Sequence, residues 1–127
     1  MGSIKFVSSY GEALEFTLPV RASALRDEGI RCNEFKRDVH EVNGLAEVEH
    51  AQAILWCKRL GLHLPTSTEL HELALHLSIT PQAHGWLNYA SYHSSTLVSD
   101  YHYCVRLFNG VVYSFAPDSE HCLICKI

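Results

Sequence analysis
No stretch of this chain approaches the roughly 18 consecutive apolar residues that a membrane-spanning helix requires, and no run of five or six like charges interrupts it. The first absence argues against a helical membrane span. The second argues against a nucleic-acid partner, because neutralising phosphates calls for a clustered basic face. Here 14 acidic and 10 basic side chains are dispersed, for a formal net charge of -4. The opening residues, Met1-Gly-Ser-Ile-Lys-Phe, lack the apolar core of a signal peptide, so any export address is expected to lie elsewhere. Internal repeats and low-complexity linkers are also missing. What is present, 127 residues with 47% apolar and 19% charged side chains, is the composition of one globular domain covering residues 1–127.

Cysteine is neither scarce nor dense. Cys32, Cys57, Cys104, Cys122 and Cys125 are more than an average chain of this length carries, and fewer than a disulfide-built miniprotein needs. An odd count leaves at least one thiol out of any intramolecular pairing scheme.

Local pattern divides the chain into a strand-rich part over residues 1–44 and a mixed part over 45–127. Lys5-Phe-Val-Ser and Ala13-Leu-Glu-Phe-Thr-Leu18 read as strands, the second with Leu14, Phe16 and Leu18 on one face. Arg21 to Asn43 is charged and weakly periodic, with Asp38 to Val42 as a short strand before an Asn43-Gly44 turn. Leu45 to Leu60 reads as a helix, with Ala53, Cys57 and Leu60 on one face and Val48, Ala51 and Leu55 beside it, and Gly61 as a left-handed stop. Pro65 bars helix at the preceding residue, and Thr66 and Glu69 have the spacing of a capping box. A second helix over 67–78 then buries Leu70, Leu73, Ala74 and Leu77. Beyond Trp86 the pattern is strand-like. Tyr101 to Phe108 and Val111 to Phe115 flank Asn109-Gly110, which predicts a type I′ hairpin with Cys104 opposite Phe115. Apolar residues on both faces of that ribbon predict a central sheet element. Cys122 to Ile127 reads as a last strand.

Several constellations invite a chemical reading. His71 and His76 lie on one helix, but zinc-protease spacing is i, i+4, and i+5 turns the second about 140° from the first. Cys122-Leu-Ile-Cys125 has redox or zinc spacing, yet it opens no helix, and in a strand residues i and i+3 point to opposite faces. Zinc there would need two further ligands, with His121, His102 and Cys104 as the candidates; a structural disulfide or buried thiols is the favoured reading, and no metal or cofactor is expected. Ser94, Ser95, His93 and Asp100 can be written as a nucleophile set, but they are sequence neighbours without a nucleophile elbow. Hydroxyls satisfying nearby backbone groups explain Ser94-Ser95-Thr96 better. No catalytic residue is assigned.

Taken in order, Trp56-Cys57-Lys-Arg-Leu-Gly61, Leu64-Pro-Thr-Ser-Thr-Glu-Leu70, Tyr92-His-Ser-Ser-Thr96, Asn109-Gly110 and Cys122 to Cys125 resemble the C-type-lectin-like domains at the tips of invasin- and intimin-type bacterial adhesins, and related pilus-tip and phage receptor-binding proteins. The likeness covers roughly residues 45–127. It implies an α+β, C-type-lectin-like fold with two helices packed on a mainly antiparallel twisted sheet. It also implies a first-helix cysteine tied to the last strand, Cys57 with Cys125. His93 departs from the family's usual Trp, and Cys32, Cys104 and Cys122 match no family position. The Glu-Pro-Asn, Gln-Pro-Asp and Trp-Asn-Asp triplets of calcium-dependent lectins are missing, so sugar binding is not carried over with the fold. Gly85-Trp-Leu-Asn88 lacks the carboxylates that calcium favours. Formylglycine-generating enzymes share the fold but are far longer, and no active-site cysteine pair from them matches.

The resemblance implies an extracellular recognition module, not an enzyme, that engages a cell-surface glycan or protein receptor without calcium. Candidate ligand-binding residues are Trp86, Asn88, Tyr89, His93, Tyr101 and His102, since stiff aromatic area with polar tips suits recognition. Tyr89, Tyr101 and His102 are expected to be exposed, and Tyr92 and Tyr103 to serve the core. Two other classes stand beside this reading: an assembly module that docks onto neighbouring domains of a larger surface protein, and a small metal-dependent enzyme.

Overall fold
A computed structural model describes residues 3–29, 39–79, 90–107, 109–116 and 119–127. Strands β1 (Ser3–Val7) and β2 (Ala13–Thr17) pair antiparallel, with Ile4 opposite Phe16 and Phe6 opposite Leu14. A short helix α1 (Ala22–Asp27) buries Ala22 and Leu25 in a segment whose weak periodicity predicts no helix. Strands β3 (His40–Val42) and β4 (Leu45–Glu47) form a tight hairpin. Asn43 and Gly44 close it with φ of 51° and 83°, the two positive angles of a type I′ turn.

The predicted helix over 45–60 is thus shortened at its start. Its first residues belong to β4, and α2 spans His50–Arg59. The reason is burial on two sides: Leu45 packs with one hydrophobic cluster and Ala46 with another, which alternation along a strand allows. Helix α2 buries Ala53, Trp56 and Cys57, while Ala51, Leu55 and Leu60 are exposed, contrary to the predicted apolar stripe. It ends in a Schellman motif, with Leu62 N–H on the Cys57 carbonyl, Gly61 N–H on the Lys58 carbonyl, and Gly61 at φ 72°.

Helix α3 (Ser67–Ile79) opens with the predicted capping box. Glu69 N–H donates to Thr66 Oγ1 at 3.1 Å, and Thr66 N–H donates to Glu69 Oε1 at 2.8 Å. The same Glu69 carboxylate meets Lys126 Nζ at 2.6 Å, so the helix start also holds the C-terminal segment. Burial disfavours the ionised form of Glu69, but hydrogen bonds from Lys126 and Thr66 outweigh it and lower its pKa.

Strands β5 (Ser91–Val98), β6 (Tyr101–Arg106) and β7 (Val112–Phe115) form an antiparallel sheet with β6 in the centre. As the apolar pattern predicts, both faces of β6 are covered. Tyr92 of β5 and Val105 of β6, paired across the strands, pack against Leu70, Leu73, Ala74 and Leu77 of α3. His102 and Cys104 point the other way, toward α2 and the tail. The β6–β7 register places Cys104 opposite Tyr113 and His102 opposite Phe115, two residues from the predicted pairing. The loop is therefore longer than a two-residue turn: Arg106 N–H bonds the Val111 carbonyl and Gly110 N–H the Arg106 carbonyl. Gly110 lies against α3, where its carbonyl meets His71 Nδ1 at 3.0 Å and an added Cβ would come 3.0 Å from the same nitrogen. A shift of two leaves each side chain on its predicted face.

The predicted last strand is instead an extended tail that makes single bridges to several elements. His121 exchanges two backbone hydrogen bonds of 2.9 Å with Val48; Cys122 bonds Ser91 and His93; Cys125 bonds Thr17; Lys126 bonds His63; and Ile127 bonds Glu15. Its side chains alternate between two hydrophobic clusters. Cys122 and Ile124 join Ile4, Leu14, Phe16, α3 and the sheet, whereas Leu123 and Cys125 join Val20, Leu25, Val48, Trp56 and Leu64. Cys125 is disulfide-bonded to Cys57, the pairing that the resemblance implies, with Cα atoms 5.6 Å apart.

Candidate functional site
Alternation along β6 turns His102 and Cys104 to one face, and His93 on β5 sits directly across from Cys104. A bulge in β5 between His93 and Leu97 breaks the ladder here, and its side chains are tied down individually. Ser94 Oγ donates to the Tyr103 carbonyl at 2.7 Å, and Thr96 Oγ1 accepts from Ser67 N–H at 3.0 Å. These hydroxyls serve backbone groups, as the Ser-Ser-Thr sequence predicts.

Facing this surface are His50, from the first turn of α2, and His121, from the tail. The His50 ring stacks on that of His102 with centroids 4.1 Å apart, and His121 stands edge-on to His93 at 5.2 Å. His50 Nε2–H donates to the Ser94 carbonyl at 2.9 Å. His93 is the hub. Its Nε2 meets the Val48 carbonyl, which can only accept, so that nitrogen carries the proton. Its Nδ1 therefore presents a lone pair toward His102 Nε2 at 3.1 Å and Cys104 Sγ at 3.8 Å. Neither nitrogen of His93 touches a serine hydroxyl, and Asp100 is exposed, so the nucleophile set readable from the sequence is not assembled.

Burial fixes the charge state. Loss of solvent pushes His93 well below the usual imidazole value, with its imidazole neighbours adding to the effect and the Val48 hydrogen bond opposing it. Burial likewise lowers His102 and His121 to about 4. It raises the Cys104 and Cys122 thiols to about 12. At neutral pH His93, His102 and His121 are therefore uncharged imidazoles and Cys104 is a protonated thiol.

His93 and His102 are fully buried, which corrects the expected exposure of His102 and removes both from direct contact with a surface receptor. Tyr101 is 52% exposed, beside Leu97 at 64% and Val98 at 41%, at the β5–β6 turn. Tyr92 is buried and Tyr103 half-buried, in line with their expected core role. Trp86, Asn88 and Tyr89 lie outside the described residues. The cysteines separate: Cys125 is consumed by the disulfide, and Cys122 is a buried thiol in the opposite cluster, so Cys122-Leu-Ile-Cys125 is not a bidentate motif. His71 and His76 are apart as predicted, the first on the Gly110 carbonyl and the second stacked on Phe6 with centroids 4.4 Å apart. The assembly of His50, His93 and His121 around His102 and Cys104 is not readable from spacing. Only the i, i+2 placement of His102 and Cys104 on one strand face signals part of it.

The chain is thus an α+β protein of three helices and antiparallel sheets among its described residues, with a buried histidine-thiol cluster on one face of its largest sheet. Its fold is similar to that of Yersinia pseudotuberculosis adhesin InvE, at a TM-score of 0.65 and 19% sequence identity. That similarity covers 97% of this chain and 33% of InvE, so the chain spans about one third of the adhesin's length. No family model and no curated protein matches the sequence.

Proposed function
We propose that this chain is a non-catalytic recognition module of C-type-lectin-like fold, a single domain displayed on a cell surface within a larger adhesin, that binds a glycan or protein receptor without calcium. The observation that carries this reading is the likeness to an adhesin across 97% of the chain. One feature supports it. The β5–β6 turn presents Leu97, Val98 and Tyr101 to solvent, an apolar and aromatic tip of the kind that anchors recognition.

A glycan array probed with the purified protein, with and without a chelator, tests the proposal. Binding to a defined sugar that survives chelation supports a lectin-type adhesin, and Tyr101→Ala then weakens it. A blank array followed by capture of a defined receptor from host membranes supports the protein-receptor form. If both stay blank, and the protein binds only neighbouring domains of its parent, recognition gives way to an assembly role.

A further inference from the structure
We propose that His93 Nδ1, His102 Nε2 and Cys104 Sγ form a structural site for a transition metal, zinc(II) in the first instance. These three atoms lie within 4.8 Å of one another, and all three residues are buried. Zinc takes nitrogen at about 2.0–2.1 Å and sulfur at about 2.3 Å in a tetrahedral shell, so neighbouring ligands are separated by about 3.3 Å for two nitrogens and about 3.6 Å for nitrogen and sulfur. The observed His93–His102 and His93–Cys104 separations of 3.1 and 3.8 Å are each close to those edges. The third separation, His102 to Cys104, is no more than 4.8 Å, so admitting the ion asks at most that this side draw in toward an edge of about 3.6 Å.

The proton pattern fits the same purpose. Metal-bound histidines characteristically donate their other N–H to a carbonyl or carboxylate, which fixes the tautomer and aims the free lone pair. His93 does this through Val48. The rings of His50 and His121 lie against the pair without joining the three-atom set, so the fourth position falls to water. An imidazole and thiolate set suits zinc and disfavours magnesium or calcium. The ligands sit on paired strands, not on a mobile loop, and belong neither to the Cys122–Cys125 pair nor to the exposed tip. The expectation of no metal rested on motifs along the chain, and this set is brought together across two strands. The site would brace the base of the β5–β6 turn, since His102 immediately follows Tyr101. It stands independently of the recognition reading, because its test needs no receptor.

The test is a cobalt(II) titration of the chelator-stripped chain, followed in the near-ultraviolet and visible. The expected result is one cobalt per chain, a thiolate-to-cobalt charge-transfer band, intense tetrahedral visible bands, and displacement by zinc. Cys104→Ser removes the charge-transfer band. Cys104→Ser and His102→Ala should each weaken binding by about 100-fold or more, since loss of an outer-shell partner alone costs about 10- to 100-fold. His40→Ala, at a surface imidazole paired with Glu47, leaves binding unchanged. If the Cys104 variant does not fold, Cys32→Ser and Cys122→Ser that retain the band assign it to Cys104 by elimination. No stoichiometric binding by the folded wild type overturns the site, as does a band that survives in folded Cys104→Ser.

Discussion

Around the Cys57–Cys125 disulfide the interior consists of Val20, Leu25, Val48, Trp56, Leu64 and Leu123, held by apolar burial and one covalent tie. A few residues away, on the inner face of the β5–β6–β7 sheet, the interior consists of imidazoles and a thiol. The two regions share Val48, whose side chain belongs to the first and whose carbonyl orients His93 in the second. Apolar burial stabilises whatever its detailed chemistry, at about 25 cal/mol per Å² removed from water. Buried imidazoles contribute only when their nitrogens are matched, and otherwise they cost. The contrast teaches where stability and where specific geometry reside: the disulfide region holds the chain together, and the histidine region fixes one arrangement of three elements.

The largest expected effect comes from opening the first region. Replacing Cys57 and Cys125 together by Ala releases a link between residues 68 apart, and the chain-entropy model puts the loss at about 4 kcal/mol. Urea denaturation of oxidised wild type and the double variant measures it; a loss under about 1 kcal/mol would mean that the apolar contacts suffice. Leu123→Ala, in the same region and fully buried, should cost about 2–5 kcal/mol by the same measurement. A much smaller loss would show the cluster collapsing around the gap.

Acid sharpens the comparison, because only the second region titrates. His93, His102 and His121 have pKa values lowered on folding, so the unfolded chain binds more protons below the ordinary imidazole range. For the metal-free protein, stability is expected to be full above about pH 6.5 and to fall as the pH drops from there toward about 4. Urea midpoints across that range check the sign, and a flat profile would show that the imidazoles protonate without penalty. Thr66→Ala, at the start of α3, should cost about 1 kcal/mol through loss of the cap. The smallest effect belongs to the exposed tip: Tyr101→Ala should change stability by less than about 0.5 kcal/mol while reducing receptor binding, and a larger loss of stability would make Tyr101 a packing residue.

Features closed within a few residues were legible in the sequence. The Thr66–Glu69 box, the Gly61 stop, the Asn43-Gly44 turn and the strand over 13–17 each rest on chemistry between near neighbours. Strand β4 was hidden because three residues are too few for alternation to show against the helical pattern that follows. The Asn109-Gly110 hairpin was recognised, but its register was not, since contact of Gly110 with His71 of α3 favours the longer loop. The histidine cluster was the least legible, because it needs a bulge, a cross-strand pair, a helix start and the tail at once. Its traces in the sequence are the i, i+2 placement of His102 and Cys104 and the presence of His93 where the resembling family has Trp. The expected exposure of His102 fails because a polar side chain in an aromatic-rich span gives no sign of which face of the sheet it will occupy.

The tail also bears on how the chain is made. Residues 121–127 supply alternate side chains to both hydrophobic clusters and the second half of the disulfide, so no shorter N-terminal piece contains a finished interior. A ribosome or an export channel releasing the chain from its N-terminal side therefore delivers this closing element after the elements it seals. Until residue 125 has emerged, hairpins and helices can form and pack on one another, but both clusters lack the members that the tail supplies. Completion of this domain, and with it the Cys57–Cys125 bond, is timed by the arrival of residues 121–127.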